Sequence, residues 1–184
     1  MTVIFISDTD GSFDPVPQTY SITSGEAVSD SFILSLASTV TGVAFDVWTL
    51  DGDSVTSVQW SIGTTPGGDL YGGTAITADT LGTIYKDYTD DNDSFSTGNL
   101  SLAAGTYYLT LQNASTSLGS AGWDQNDGPS SSWTSEGGSF SYVGDAESFE
   151  VLGTDTPEPR YGTLLGMAVV GLIWSKRGQA REQA

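Results

Sequence analysis

Two-residue hydrophobic alternation in short segments is the feature that most constrains the fold of this chain. It is clearest in residues 57–63 and 106–113, where apolar side chains alternate with polar side chains or tyrosine. Successive side chains of a β-strand point to opposite faces, so each segment buries one of its two sets. The residues predicted to point inward are Val58, Trp60, Ile62, Tyr107, Leu109 and Leu111.

Further segments of this kind, separated by Gly, Asp, Asn and Ser, predict one all-β domain over residues 1–153. The additional strands are expected at residues 29–36, 41–48, 83–88, 95–102, 139–143 and 148–152. Turns, where glycine tolerates positive φ, are expected at Asp51-Gly52, Gly67-Gly68, Gly72-Gly73, Ala104-Gly105 and Gly137-Gly138. About eight to ten short strands at this spacing favour an antiparallel two-sheet sandwich, jelly-roll-like, over a barrel.

The first 155 residues are strongly acidic. They hold 21 Asp and Glu residues against one Lys, a net charge of −20. Such a domain repels the phosphates of nucleic acids and of anionic lipid headgroups, so nucleic acid is excluded as a partner. Two explanations of the acidity remain open, a solvated surface whose charge maintains solubility or the binding of cations.

Several of the acids are grouped in segments that suit a hard cation. Ca²⁺ takes about six to eight oxygen ligands, which carboxylates in a flexible loop can provide. The groups are Asp8, Asp10 and Asp14 near the N-terminus, and Asp87, Asp90, Asp91 and Asp93 further along. Neither group has the spacing of an EF-hand. We therefore expect no obligatory cofactor, with Ca²⁺ at the second group as the candidate metal.

Residues with catalytic chemistry are scarce. The chain has no His and no Cys, which excludes Ser-His-Asp triads, thiol nucleophiles and imidazole or thiolate metal sites. A pair of carboxylates would suffice for glycoside hydrolysis if a cleft brought them together. The acids considered for such a pair are Glu26, Glu136, Glu147 and Glu150. Nothing in their spacing pairs them, so surface positions and a non-enzymatic protein are predicted.

The segment AGWDQNDGPSSSW, residues 121–133, is predicted to be a loop and is the candidate ligand-binding site of the domain. Sugar recognition combines an aromatic face with amide and carboxylate hydrogen-bond partners. Trp123 and Trp133 supply the rings, and Asp124 and Asn126 supply the polar groups. The alternative is that both indoles pack over one end of the sandwich, with Asp-Gly-Pro forming a turn.

The last 29 residues differ in chemistry from everything before them. An uncharged, mostly apolar run over residues 161–175 is followed by the basic residues Lys176, Arg177 and Arg181. We predict a linker at 154–160, a transmembrane helix at 161–175 and a basic tail at 176–184. The tail is expected in the cytoplasm, because Lys and Arg residues that flank a membrane span stay on its cytoplasmic side. Residues 161–174 would reach about 21 Å across a hydrocarbon core of about 30 Å, which suits transient insertion better than durable anchoring. A helix packed within a soluble domain is the alternative.

Pro157-Glu158-Pro159, the apolar run and Lys176-Arg177 together resemble the PEP-CTERM sorting domain. The resemblance implies export, followed by recognition by a membrane protease-transpeptidase, exosortase. It extends more loosely to the Gly- and Ser-rich β domains that commonly precede this signal. The two prolines impose an extended segment, a shape that suits a protease cleft. Arg160 and the hydrophilic GQAREQA end depart from the commoner form, which has a small residue after the motif and an Arg-rich terminus.

The first residues, MTVIFISDTDGS, do not have the pattern of a secretory signal, because they lack a basic region and reach an acid at Asp8. We expect the signal to lie upstream of the printed start, although a strand beginning at Val3 fits the same residues. The favoured function is a non-enzymatic exported surface or extracellular-matrix protein, held at the membrane at least transiently. The alternatives are a carbohydrate-binding module displayed by the same route, with extracellular polysaccharide as its partner, and a glycoside-active enzyme.

Overall fold

The computed structural model describes residues 2–7 and 19–156 of the chain. Within these two ranges the backbone forms β-strands and no helix. In chain order the strands are β1 (Thr2–Ile6), β2 (Thr19–Ser21), β3 (Glu26–Leu34), β4 (Ser38–Leu50), β5 (Ser57–Gly63), β6 (Tyr71–Ile76), β7 (Ala78–Tyr85), β8 (Tyr88–Leu102), β9 (Gly105–Ser115), β10 (Gly122–Asn126), β11 (Ser132–Glu136), β12 (Ser139–Tyr142), β13 (Ala146–Glu147) and β14 (Phe149–Asp155).

All strand pairs are antiparallel, and they build two sheets. The first sheet is centred on the long strand β4, which pairs with β8 along one side and with β14 and then β10 along the other. Strand β1 extends this sheet beyond β14, β7 extends it beyond β8, and β2 and β13 pair with β10. The second sheet has the order β12-β11-β3-β9-β5-β6. The predicted two-sheet antiparallel sandwich is therefore confirmed.

The core lies between the two sheets and consists of their inward-facing aliphatic and aromatic side chains. Each of the residues predicted to point inward is at most 8% exposed, so that prediction is confirmed. In the second sheet Trp60 lies opposite Leu111, and Ile62 lies opposite Leu109. A register slip of one residue would turn this whole set to solvent, so burial of the set specifies the register of the sheet.

Two predicted segments have a different secondary structure from the one expected. Gly72 and Gly73, expected to form a turn, lie inside β6 and pair with Ser61 and Trp60 of β5. Backbone pairing along this edge of the sheet outweighs the turn preference of a glycine pair. Residues 83–88, expected to form one strand, instead span the turn between β7 and β8, where Lys86 has a φ of 57°.

Strand β14 is the last element of the described fold. Thr154 and Asp155, predicted to belong to the linker, are part of β14 and pair with Thr39 and Ser38. The backbone N–H of Thr156 donates a hydrogen bond to the carbonyl of Ala37 at 2.7 Å. The rest of the predicted linker, the predicted transmembrane helix and the basic tail lie outside the described residues. Within residues 2–7 and 19–156, no helix is long and apolar enough to cross a membrane.

Candidate functional site

Trp123, one of the two rings of the predicted sugar site, is a core residue. It lies in β10, within a segment that we predicted to be a loop, and it is 0% exposed. Its indole N–H donates to the carbonyl of Ser148 at 2.8 Å, and its ring packs against Phe149 and Phe45. A ring without an exposed face cannot stack on a sugar, so the prediction of a ligand-binding role for Trp123 is wrong.

The polar residues of the predicted site also serve the fold. The carboxylate of Asp124 accepts a hydrogen bond from the indole N–H of Trp48 at 2.5 Å. The amide of Asn126 donates to the carbonyl of Ser7, and its oxygen accepts the backbone N–H of Gly128 at 2.6 Å. These bonds join β10 to its neighbours and shape the turn that follows it. Asp124 and Asn126 are therefore engaged within the domain and do not form a free polar rim beside a ring.

Trp133 differs from Trp123 because it lies on the outer face of the second sheet. It stands opposite Ser29 of β3, and Ser29 alternates with the core residue Val28. Its ring centroid is 5.1 Å from that of Tyr108 and 5.3 Å from that of Tyr142. We call Tyr108, Trp133 and Tyr142 the aromatic cluster. The structure thus separates the two tryptophans of the predicted site and gives Trp133 two new aromatic neighbours.

The aspartates predicted to bind calcium face in different directions. Asp91 and Asp93 share the inward face of β8, whereas Asp90 points to the opposite face and Asp87 is exposed in the preceding turn. Strand alternation separates the four side chains, because the segment is not the flexible loop that we assumed. Throughout the described part of the chain, no three His, Cys, Asp or Glu side chains are placed to hold a metal ion. The predicted site at these aspartates is therefore wrong, and the group at residues 8–14 lies outside the described residues.

Asp93 is an interior acid without hydrogen-bond partners. Its side chain is 0% exposed, and neither carboxylate oxygen has a hydrogen-bond partner. Burial, reinforced by the charges of Asp79 and Asp91, raises the pKa of Asp93 to about 7. Asp91 accepts bonds from the backbone N–H of Gly82 and the hydroxyl of Thr49, yet burial also raises its pKa. Burial at these two strand positions therefore disfavours the charged form of each carboxyl group relative to water.

A second pair of buried acids joins β3 to β13. Asp30 accepts hydrogen bonds from the backbone N–H of Glu147 at 2.6 Å and from the hydroxyl of Ser130 at 2.8 Å. Burial nevertheless raises the pKa of Asp30 to about 6, and burial together with Asp30 raises the pKa of Glu147 well above its usual range. The groups beside the Glu147 carboxylate, Ser132 and Gln125, make no hydrogen bond of normal geometry with it. Glu147 is 0% exposed and so has no access to a glycosidic bond.

Two residues of these sites were missed although the alternation contains a signal for each. Tyr108 lies between the inward residues Tyr107 and Leu109, so the pattern already places it on the outer face. Asp30 lies two positions from Val28 and from Phe32, so the same pattern places its carboxyl inside. Pairing of these residues with Trp133 or Glu147 requires the sheet order, which local alternation does not contain.

Comparison with protein-family models and with curated protein sequences finds no match to this chain. Functional inference therefore depends on the residues and on their geometry. Two features are available for it: the residues that follow β14, and the aromatic cluster on the second sheet.

Proposed function

We propose that this protein is a non-enzymatic surface or extracellular-matrix protein that is exported and sorted through its C-terminal residues. The observation that carries the proposal is the order of features after β14. Pro157-Glu158-Pro159 comes first, then an uncharged run over residues 161–175, then the basic pair Lys176-Arg177. An apolar segment followed by basic residues is typical of a membrane-inserted end whose charges remain in the cytoplasm. The full set resembles the PEP-CTERM signal.

The arrangement of the β domain supports this role, because the core formed by the described residues lies before the motif. Among residues 2–7 and 19–156, Val151 is the last core side chain and Asp155 is the last residue in a strand, where it pairs with Ser38. Cleavage at or after Pro157 would remove none of the residues that form the described strands. An enzyme that cuts near the motif would therefore leave the described sandwich intact.

In the proposed mechanism, residues 161–175 form a short transmembrane helix while the jelly-roll-like sandwich stays outside. The prolines hold the Pro-Glu-Pro motif extended at the outer boundary of the membrane, where an exosortase-type enzyme reaches it. The short span favours transient insertion before processing. The net charge of −20 in the first 155 residues keeps the exported domain soluble and away from anionic headgroups.

A pulse-chase experiment on the full chain tests this function. The chain is expressed behind a secretory signal in a host that has an exosortase-type enzyme. We expect a mass loss equal to that of the tail, abolished when Pro157, Glu158 and Pro159 are all replaced by Ala. The matched control replaces Thr154 and Thr156 by Ala, which changes residues beside the motif and leaves processing intact. A wild-type chain that keeps its tail, or a motif variant processed like the wild type, would contradict the proposal.

A further inference from the structure

We propose that the aromatic cluster of Tyr108, Trp133 and Tyr142 binds a neutral, curved polysaccharide chain. The cluster lies on the outer face of the second sheet, away from the interior position of Trp123. This inference goes beyond sorting, because binding at the sheet face does not require any processing of the tail.

The rings of Tyr108 and Trp133 meet above small side chains of the strand between them. Tyr108 lies on β9 and Trp133 on β11, and β3 runs between these strands. Neighbouring strands are about 4.8 Å apart, so β9 and β11 are separated by about 9.6 Å. The ring centroids are only 5.1 Å apart, which means that the side chains lean toward each other over β3. The outward residues of β3 at this point are Ser29 and Ser31, which leave the necessary space.

The third ring extends the cluster toward solvent. Tyr142 is the direct cross-strand partner of Trp133, and it is 63% exposed. Cross-strand aromatic packing stabilises a sheet and explains why the two rings are in contact. It does not explain why a large ring remains mostly in water beside two others that are only partly buried. Exposed aromatic faces next to hydroxyl groups are the surfaces on which the C–H groups of sugars pack.

One side of the cluster is bounded by the segment that connects β5 to β6. The backbone N–H of Gly67 donates to the hydroxyl oxygen of Ser29 at 3.3 Å. Gly67 has a φ of +70°, and a Cβ at this position would lie 2.2 Å from the ring of Phe140. The segment therefore packs closely on the sheet face beside Ser29 and Phe140. Phe140 lies two residues from Tyr142 on β12 and therefore on the same face, but it packs against Gly67, and the three rings of the cluster lie beside it.

The charges favour a neutral ligand. The cross-strand neighbours of Trp133 and Tyr108 outside the cluster are uncharged, namely Ser29, Ser31 and Gly63. The surrounding domain has a net charge of −20 over residues 1–155, which repels uronate-rich or sulfated chains. An uncharged sheet face on such a domain therefore selects against anionic polysaccharides and does not offer a cation-binding site.

The ring orientations favour a curved chain over a flat crystalline one. The plane of Trp133 is inclined by 75° to that of Tyr108 and by 58° to that of Tyr142. Rings at these angles cannot all lie flat against one planar array of sugar chains. They can contact successive sugar units of a chain that turns.

Affinity electrophoresis of the full chain in gels containing amylose, laminarin, cellulose particles or polygalacturonate tests the site. We expect amylose or laminarin, which are curved and neutral, to retard the protein, and cellulose and polygalacturonate to leave its mobility unchanged. Replacement of Trp133 by Ala should weaken retardation about tenfold, which corresponds to the upper end of the about 0.5–1.5 kcal/mol that one aromatic contact is worth. Tyr142→Ala should weaken it about threefold to tenfold.

The control is Tyr88→Ala, which removes a ring that is 44% exposed on the first sheet, and it should leave retardation unchanged. Thermal unfolding of each variant separates a lost site from a lost fold. Tyr142→Ala provides the decisive comparison if Trp133→Ala unfolds, because its ring is the most exposed of the three. The proposal would be overturned if neither curved glucan retarded the protein, or if the protein bound cellulose or polygalacturonate preferentially. It would also be overturned if folded variants of the cluster bound as well as the wild type.

Discussion

The turn after β4 and the middle of β8 each contain a nearly inaccessible aspartate, and the two carboxylates have opposite surroundings. Asp53, in the turn, is 5% exposed, while Asp93, in the strand, is 0% exposed. Neither oxygen of Asp93 has a hydrogen-bond partner. The donors to Asp53 are the backbone N–H groups of Ser54, Ser117, Leu118 and Gly119 and the hydroxyl of Ser117, at 2.8–2.9 Å.

The pKa values of the two groups follow from these surroundings. Burial alone would raise the pKa of Asp53, but the hydrogen bonds from Ser117 and its neighbours lower it to about 2. Burial raises the pKa of Asp93 to about 7 without any opposing hydrogen bond. Residues 116–119 lie between strands, so their N–H groups are free to bind a carboxylate. Asp93 lies between Phe45 of β4 and Asp79 of β7, where the backbone N–H groups belong to the sheet ladders.

The largest effect is expected from removing the satisfied carboxylate. Asp53→Ala should lower the free energy of unfolding by about 3 kcal/mol, because several backbone donors lose their acceptor at once. Urea unfolding at neutral pH measures the loss. The control is Asp51→Ala in the same turn, where the side chain is exposed and the expected change is below about 0.5 kcal/mol. Equal losses in the two variants would show that the hydrogen bonds to Asp53 do not stabilise the turn.

An intermediate effect of opposite sign is expected from neutralising the unsatisfied carboxylate. The pKa of Asp93 is raised from 3.8 to about 7, so the folded state binds more protons than the unfolded state between these values. Wild-type stability should therefore fall as the pH rises through this window. Asp93→Asn cannot ionise, and it should be more stable than the wild type by about 1–2 kcal/mol at about pH 8.

Urea unfolding of Asp93→Asn and of the wild type at about pH 4 and about pH 8 measures this difference. The advantage of the variant should shrink at the lower pH, where the wild-type carboxyl is already neutral. Asp30 and Glu147 contribute pH dependence of the same sign to both proteins, so they cancel in the comparison. Asp69→Asn, a change at an exposed position, is the control and should show no such pH-dependent gain. If the difference in free energy of unfolding between Asp93→Asn and the wild type does not change with pH, the raised pKa of Asp93 is refuted.

The smallest effect is expected at the residue that connects the two regions. The hydroxyl of Thr49 lies 3.3 Å from the carbonyl oxygen of Asp53 and 3.3 Å from the carboxylate of Asp91. Thr49→Val keeps the shape of the side chain and removes the donor, so a loss of about 0.5–1 kcal/mol is expected in urea unfolding. Thr56→Val, whose exposed hydroxyl bonds to the carbonyl of Ser115, should lose less. A larger loss at Thr56 would show that the Thr49 hydroxyl does not stabilise the contact between the turn at Asp53 and Asp91 of β8.

The aromatic segment at residues 121–133 shows where prediction from the sequence stops. Local alternation correctly indicated which side chains of β5 and β9 point inward, because that property depends only on neighbouring residues. The same information did not distinguish Trp123 from Trp133, since an indole suits both a core and a sheet surface. The difference comes from pairing, because Trp123 lies opposite Val47 of β4 and Trp133 lies opposite Ser29 of β3.

The glycine pair at residues 72–73 and the aspartates around β8 were misjudged for a related reason. Gly72-Gly73 has the composition of a turn, but β5 offers it a strand to pair with. The acidic run has the composition of a cation-binding loop, but pairing on both sides makes it a strand. In each case a non-local partner outweighs a local preference that amounts to about 1 kcal/mol per residue.

The all-β class, the inward set of β5 and β9 and the acidity of the domain follow from the amino-acid sequence alone, because each is a local or summed property of the residues. Whether a buried carboxylate finds hydrogen-bond donors does not follow from the sequence alone, because it depends on which N–H groups remain unpaired after both sheets have formed. Asp30 receives the N–H of a residue 117 positions away, and Asp53 receives one 64 positions away. Such contacts exist only in the assembled sandwich, as does the approach of Tyr108 and Trp133 across β3.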